Sequence, residues 1–481
     1  MKLKELAAGL PFPYEITGDE NTEISGVCTD TRRLTEGSLF VCVKGLKTDS
    51  HLLAGDAARL GASALVTERK LDTPLPQVLV KSTREALSYL ASTFYGDPSK
   101  DLKLVGITGT KGKTTTSFLL KSILEAAGCK TGLIGTVCVL IGDREYEAGL
   151  TTPDPIEFQK ILSRMREAGI EYVIMEVSAH ALDMHRIDGT RFEAAAFTNL
   201  SQDHLDYFGT MENYLKAKLK ILSMTDRMVV NVDDAVVRQA VDALGVNYTP
   251  VGIREKANVY AKQIEVIETG VRFLLTFHKR FREIINLRLS GIFNVYNAMI
   301  AAALADECGI DPEHIKAGLE AISNVPGRVE LLDTHTPYRV ILDYAHSPDA
   351  LENVLKSLRQ STRKRIIAVF GCGGGRDRTK RPIMGEIGGR LADYCVITSD
   401  NPRDEDPMEI IDAIEAGIRG VTQNYEIIEN RRLAIRRALS MAQSGDTVVL
   451  AGKGHETYQE INGVKHPFDE KEIVRELLKE I

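Results

Sequence analysis

Leu104-Val-Gly-Ile-Thr-Gly109-Thr110-Lys111-Gly112-Lys113-Thr114-Thr115-Thr116 decides how this chain is read. Residues 102–108 suit a buried strand, the glycines break it, and a helix is predicted over 114–127. Leu119, Leu120, Ile123, Leu124 and Ala127 share one face of that helix, and Gly128 stops it. Backbone N–H groups in such a turn converge on an anion, and the helix N-terminus adds positive potential. The usual phosphate-loop spacing would need glycine at 107. Ile107 stands there instead, and Gly109 to Thr114 is the shorter Gly-Thr-Lys-Gly-Lys-Thr. Strand, loop and helix in register predict an ATP site. Gly109, Thr110, Lys111, Gly112, Lys113, Thr114 and Thr115 cradle phosphate, Lys113 reaches the terminal phosphates, and Thr114 holds Mg²⁺.

Outward from this loop, 481 residues favour about three domains. A net charge of −7 offers no basic field for nucleic acid, so no nucleic-acid partner is expected. No apolar run approaches a membrane span, and the Met-Lys-Leu-Lys opening is too short in apolar residues before Pro11 for a signal peptide. Seven scattered cysteines without a C-x-x-C pair read as reduced thiols, most of them small core residues. A cytoplasmic enzyme is expected.

The first segment mixes strands at 38–43, 64–67 and 77–80 with a helical stretch at 52–60. The polar turn 96–101 makes a boundary. The central segment alternates strand and helix: the phosphate-loop unit, a helix over 156–168, strands at 172–175, 194–198 and 228–232, and a long helix after Gly209. This predicts a mostly parallel sheet covered on both faces. Residues 259–289 are β-rich and 294–305 return to helix. A second breaker at 324–328 precedes strands at 340–343, 365–370, 395–398 and 447–451, another open α/β sheet. The expected domains are 1–98, 99–328 and 329–481. The Gly371-Cys-Gly373-Gly-Gly375-Arg376 loop puts Arg376 where a dinucleotide fingerprint needs a small residue, so no nicotinamide site is expected.

Strand 172–175 ends in Glu176, and a carboxylate at that end of a strand beside a phosphate loop suits Mg²⁺. The run Thr198 to Asp206 concentrates polar side chains, including His204, at the end of another strand. In the next helix Met211, Tyr214, Leu215 and Leu222 form one stripe, with Lys218 in its middle and Lys216 and Lys220 on the solvated side. An ammonium there needs a partner or an altered charge state, since burial depresses a lysine pKa. A neutral amine can react with CO₂ to give a carbamate, an anionic ligand for a divalent ion.

These motifs resemble those of the Mur ligase family, ATP-dependent amide-forming enzymes of peptidoglycan synthesis. The resemblance rests on G-T-K-G-K-T-T, T-T-P-D (151–154), M-E-V-S-A-H (175–180), N-L-S-Q-D-H-L-D (199–206), G-I-F-N-V-Y-N (291–297), P-G-R-V-E (326–330), D-Y-A-H-S-P-D-A (343–350) and G-K-G-H-E (452–456). It covers nearly the whole chain. It implies an N-terminal UDP-binding domain, a central ATPase and a C-terminal Rossmann-like domain. It implies further that Lys113, Glu176, His204 and Lys218 are catalytic. Thr114 and Glu176 would hold one Mg²⁺, and Glu176, His204 and carbamylated Lys218 a second. Asn297, Arg328 and Asp343 would approach adenosine from across the domain junction. Thr31 stands for a family serine and would contact uridine diphosphate. Thr151, Thr152, Ser178 and Arg186 match contacts to the muramoyl-dipeptide, whereas Met184 replaces a polar glutamine. Asp400-Asn401-Pro402-Arg403, with Arg376, Gly452 and Glu456, resembles the motif of members that add meso-diaminopimelate. Arginine forks suit its carboxylates and Glu456 an ammonium. Arg403 would bind the distal carboxylate that lysine lacks.

The implied activity is ligation of meso-diaminopimelate to UDP-N-acetylmuramoyl-L-alanyl-D-glutamate through an acyl phosphate, by a monomer. The alternatives are a lysine-adding ligase of the same family, an amide ligase like folylpolyglutamate synthetase, and a non-enzymatic nucleotide-binding module.

Overall fold

The computed structural model describes residues 1–480 apart from 46–47, 268–269 and 278–280. Three α/β units follow one another, each built on its own sheet. In the first, strands Glu15–Thr17, Gln77–Leu79, Ala62–Thr67, Ser38–Val41 and Gly26–Cys28 lie in that order, all parallel except the first pair. The helical stretch expected at 52–60 is two pieces, a 3₁₀ turn Ser50–Leu53 capped by the Asp49 side chain and a helix Ala54–Arg59. The Asp49 side chain accepts from His51 N and fixes the entry of the 3₁₀ turn, which leads directly into the helix.

The central sheet is the largest. Tyr248–Gly252, Met228–Asn231, Ala194–Phe197, Lys103–Thr108, Tyr172–Glu176 and Thr131–Ile134 run parallel through its middle. One edge continues into the hairpin Cys138–Ile141 and Arg144–Glu147. The other continues into Val259–Ile267, Gly270–Phe277 and Phe281–Leu287. The β-rich stretch expected at 259–289 is this edge, with 268–269 and 278–280 outside the described residues. Both faces of the parallel part are covered, as a parallel sheet requires. Val105 and Ile107 pack with Leu119, Ile123 and the helix Ile292–Glu307, while Leu104, Val173 and Met175 pack with Phe158 and Leu162 of the helix Pro155–Glu167. The long helix expected after Gly209 is shorter than its pattern. Met211–Leu219 is α-helical and Lys220–Met224 tightens to 3₁₀, which carries Leu222 still inward.

The third sheet is ordered Glu330–Leu332, Arg339–Asp343, Thr447–Ala451, Ile366–Phe370, Tyr394–Ile397, Tyr425–Ile427, parallel except for its first strand. Ligands of open parallel sheets gather beyond the carboxyl ends of the strands. Here those ends carry Asp343, Gly452 to Glu456, Gly371 to Arg376, and Asp400 to Arg403. The hairpin Tyr458–Ile461 and Val464–Pro467 and the helix Glu470–Glu480 complete this unit. Among the described residues no helix is long and apolar enough to cross a membrane. All seven cysteines are free thiols, and five of them are buried.

Candidate active site

The strand Lys103–Thr108 enters the loop and the helix Lys113–Ala126 leaves it, one residue earlier than the pattern predicts. Gly109 (φ 138°) and Gly112 (φ 87°) supply backbone shapes that other residues rarely adopt. They also admit neighbours. A Cβ on Gly109 would lie 1.9 Å from Thr198 Oγ1, and one on Gly112 would lie 2.4 Å from Asn297 Oδ1. Asn297 is thus not across a domain junction. It sits on the central helix Ile292–Glu307, under the loop, where it accepts from Thr116 Oγ1 (3.4 Å) and donates to Asn294 (2.9 Å). The loop is further tied down by Asn199, whose side chain accepts from Lys111 N (2.9 Å) and donates to Lys111 O (3.0 Å). Lys111 Nζ pairs with Asp203 (3.2 Å).

Glu176 ends its strand beside the loop, in register with Ile107. Its carboxylate accepts from Thr114 Oγ1 (3.1 Å), Thr136 N (2.9 Å) and Thr136 Oγ1 (3.0 Å). Arg328 Nη2 donates to the same Thr114 hydroxyl (3.1 Å), which joins the start of the third unit to the phosphate loop. Asp343 accepts from Val329 N (2.7 Å), and burial pushes its carboxyl up to about 6 against the pull of Arg328. Thr136 carried no signal that sequence reading used, because it lies in an irregular turn after Ile134.

Two lysines meet at one carbonyl. Lys113 Nζ donates to Gly109 O (2.9 Å) and Thr110 O (3.0 Å), and Lys218 Nζ donates to Gly109 O (2.8 Å). Lys218 is 1% exposed and stands 4.6 Å from the centre of the Tyr214 ring, whereas Lys216 and Lys220 are exposed. Burial, reinforced by Lys113, holds the Lys218 amine well below the ordinary lysine range. Burial likewise lowers Lys113 to about 8, although Glu176 opposes it. His204, in the left-handed region (φ 55°), packs against His180 with ring centres 4.8 Å apart and lies 6.1 Å from Tyr214. The His204 ring is exposed on one side, yet desolvation by the residues packed around it lowers its pKa against the pull of Asp203, and among the described residues no hydrogen bond joins it to Glu176 or Lys218. Among the described residues no three His, Cys, Asp or Glu side chains gather as a metal cluster. The oxygen donors Thr114 and Glu176 suit Mg²⁺, which keeps much of its own water. A second cation beside Lys218 requires that side chain to become anionic.

A cavity of about 470 Å³ spans the first and central units. Thr31, Ser50 and Arg84 line it from one side, and Asp154, Met184 and Arg186 from the other. Thr31 and Arg186, far apart in sequence, therefore face one space. Arg186 Nη1 donates to Thr152 O (3.1 Å) and Nη2 reaches Met184 Sδ (3.4 Å), so the thioether stands where a polar contact would be. Thr152 Oγ1 donates to Glu176 O (2.8 Å) and receives Ser178 N (3.0 Å), and Thr151 Oγ1 is 3.0 Å from Thr136 Oγ1. This row runs from the cavity to the phosphate loop.

In the third unit Asp400, Asn401 and Pro402 are buried and turned to internal partners. Asn401 bridges Lys453 Nζ (3.0 Å) and Glu456 Oε2 (2.9 Å). Arg403 (φ 54°) is held by its own chain: its Nε donates to Glu460 Oε2 (3.1 Å) and its Nη1 to Gly374 O (2.8 Å). Gly452 (φ 120°) abuts Asp400, and Arg376 is exposed on the neighbouring loop. Lys453 lies inside the Gly-Lys-Gly-His-Glu motif, where nothing local signals its burial, and Glu460 lies in no motif.

The model of the Mur ligase middle domain matches residues 107–305, and that of the Mur ligase glutamate ligase domain matches residues 327–454. The UDP-N-acetylmuramoyl-L-alanyl-D-glutamate–2,6-diaminopimelate ligase 1 of Clostridium acetobutylicum is 45% identical, over 100% of both chains. The ligase of the same description from Caldanaerobacter subterraneus subsp. tengcongensis is 44% identical, over 100% of this chain and 99% of its own. A solved structure of a UDP-N-acetylmuramoyl-L-alanyl-D-glutamate–2,6-diaminopimelate ligase superposes with a TM-score of 0.72 at 30% identity, over 100% of this chain and 99% of the other. This chain belongs to the Mur ligase family.

Proposed function

We propose that the chain is an ATP-dependent ligase that joins meso-diaminopimelate to the D-glutamate side-chain carboxylate of UDP-N-acetylmuramoyl-L-alanyl-D-glutamate in peptidoglycan synthesis. The observation that carries this reading is one junction. Arg328, which opens the third unit, donates to the Thr114 hydroxyl of the phosphate loop, while the Asp400–Arg403 and Gly452–Glu456 loops end parallel strands of that same unit. The full-length relatives carry the same activity in their names.

In this reading the units divide near residues 98 and 328. Uridine diphosphate lies against Thr31, and the dipeptide runs along Arg186, Ser178, Thr152 and Thr151. ATP lies on Gly109 to Thr115, with Asn297, Arg328 and Asp343 around its adenosine. A carboxylate oxygen of D-glutamate attacks the γ-phosphorus, ADP leaves, and an acyl phosphate forms. The acceptor amine then attacks its carbonyl carbon, phosphate leaves, and the nitrogen gives up a proton. Lys113 and the loop amides offset the charge that gathers in the first step. Mg²⁺ held by Thr114 and Glu176, with a second ion on Glu176, His204 and carbamylated Lys218, would supply further positive charge there. Carbamylation of Lys218 is supported by its surroundings. Two amines share one carbonyl, and among the described residues no carboxylate pairs with Lys218; burial and Lys113 outweigh the pull of Asp203, so a neutral, nucleophilic amine is favoured, and its carbamate replaces repulsion of Lys113 by attraction. Arg403 and Arg376 take acceptor carboxylates, and Glu456 an ammonium. The enzyme acts in the cytoplasm as a monomer.

The test is phosphate release with ATP and the UDP-dipeptide, offering meso-diaminopimelate, lysine and ornithine in turn. Release that depends on diaminopimelate is expected. Equal use of lysine would favour the lysine-adding alternative, and release without the UDP-dipeptide would sink the assignment.

A further inference from the structure

Lys453 is one of the bulkiest side chains in the protein with no exposed surface, and it lies inside the loop that follows the strand Thr447–Ala451. Its ammonium donates to Asn401 Oδ1 (3.0 Å) and Glu456 Oε2 (3.1 Å) and stands 3.9 Å from Asp400 Oδ1. Asn401 Oδ1 also accepts from Glu460 N (2.9 Å). With two donors on that oxygen, the amide has one orientation left, and its Nδ2 donates to Glu456 Oε2 (2.9 Å). Glu456 Oε2 is therefore saturated. Among the described residues its other oxygen, Oε1, accepts only from the Tyr344 hydroxyl at 3.5 Å.

The charge balance points the same way. Arg431 and Glu470 form a fully buried pair at 2.7 Å beside Asp400. The single charge of Lys453 is shared between Asp400 and Glu456, which leaves Glu456 Oε1 able to accept from a cationic ligand group.

We propose that Lys453 is a positioning residue of the acceptor pocket. By saturating Glu456 Oε2 and fixing the Asn401 amide, it leaves Glu456 Oε1 as the acceptor for the ammonium of the incoming amino acid. This rests on the reading of the chain as an amino-acid-adding ligase. Without Lys453, Glu456 Oε2 and the Asn401 amide lose the donor that holds them, and Glu456 Oε1 is no longer set in place for the ammonium.

The experiment is steady-state kinetics of wild type, Lys453→Met, Glu456→Gln and the double variant, with diaminopimelate and lysine as acceptors. Lys453→Met is expected to raise the acceptor KM by roughly 10- to 100-fold, the range for a lost charged hydrogen bond. The KM for ATP should stay unchanged. In the Glu456→Gln background the same change should add less than about threefold, because the oxygen it positions no longer carries charge. Equal rises in the ATP and acceptor KM, an unchanged acceptor KM, or fully multiplicative effects would overturn the proposal. If Lys453→Met does not fold, a crystal structure of the wild type with bound diaminopimelate decides. An ammonium on Glu456 Oε1 with Lys453 still on Oε2 upholds it, and an ammonium placed elsewhere overturns it. If the wild type prefers lysine, the acceptor assignment fails, and the same KM ratio measured with lysine still tests Lys453.

Discussion

Lys218, Lys216 and Lys220 lie within five residues of one another and meet different fates, because only Lys218 points back under the phosphate loop. Lys218→Ala should abolish phosphate release. Lys216→Ala and Lys220→Ala should keep most of it, since Lys220 merely spans Leu182 O (3.2 Å) and Asp183 (3.6 Å) at the surface. Crystals grown with ATP under CO₂ should show density beyond Lys218 Nζ, and a bare amine there would refute carbamylation. Arg403 meets partners from its own chain before any acceptor arrives. A guanidinium left unpaired by lysine would discriminate by roughly 10⁴. Glu460 and Gly374 already occupy two of its nitrogens, so lysine leaves it paired and the penalty shrinks. The kcat/KM ratio of diaminopimelate over lysine should therefore fall well below that figure, and Arg403→Ala should lower kcat/KM for diaminopimelate without altering ATP affinity.

At the scale of the element, the phosphate loop is shaped from below as much as by its own glycines. Gly112→Ala both strains a backbone at φ 87° and drives a methyl into Asn297 Oδ1. ATP affinity should fall by roughly 5- to 150-fold, a cost of about 1–3 kcal/mol for backbone strain at such a position. Asn297→Ala in the same chain should recover part of this at most, because it removes the collision but leaves the φ and takes away a side chain placed at the adenosine. Calorimetric titration with ATP of the single and double variants checks this, and full recovery would show that crowding alone was at fault. The helix Met211–Leu219 tells a related story. Its apolar stripe continues past its end because the 3₁₀ turn Lys220–Met224 still delivers Ile221 and Leu222 to the core.

For the whole molecule, the junction between the central and third units is lined by histidines that stay neutral. Burial lowers His455 to about 4 and His346 to about 3 from an ordinary 6.5, with Arg328 and Lys111 respectively adding to the effect. Below pH 6.5 the unfolded chain binds protons that the folded chain refuses. Stability is thus fully present above about pH 6.5 and is lost as pH falls toward 4, at up to about 1.4 kcal/mol per unit for each ring. Denaturation midpoints in urea at pH 7.5, 6.0 and 5.0 should fall in that order, and less steeply in His455→Asn. A midpoint independent of pH over this window would contradict the buried, neutral state of these rings.

Much of this was legible in the chain. The alternation of apolar strands and amphipathic helices specifies parallel sheets because a strand buried on both faces has no polar side to show. The Gly-Lys-Thr turn, the strand-ending Glu176 and the inward Lys218 follow from spacing alone, since residues close in sequence keep fixed offsets on strand and helix. What only the tertiary structure decided are the meetings of distant segments. Thr31 and Arg186 share one cavity, Arg328 reaches Thr114, Asn297 supports Gly112, and Lys453 binds Asn401 to Glu456. No local pattern encodes these, because a lysine between two glycines reads the same whether solvated or enclosed. Its burial depends on carboxylates and amides brought from other strands of the sheet.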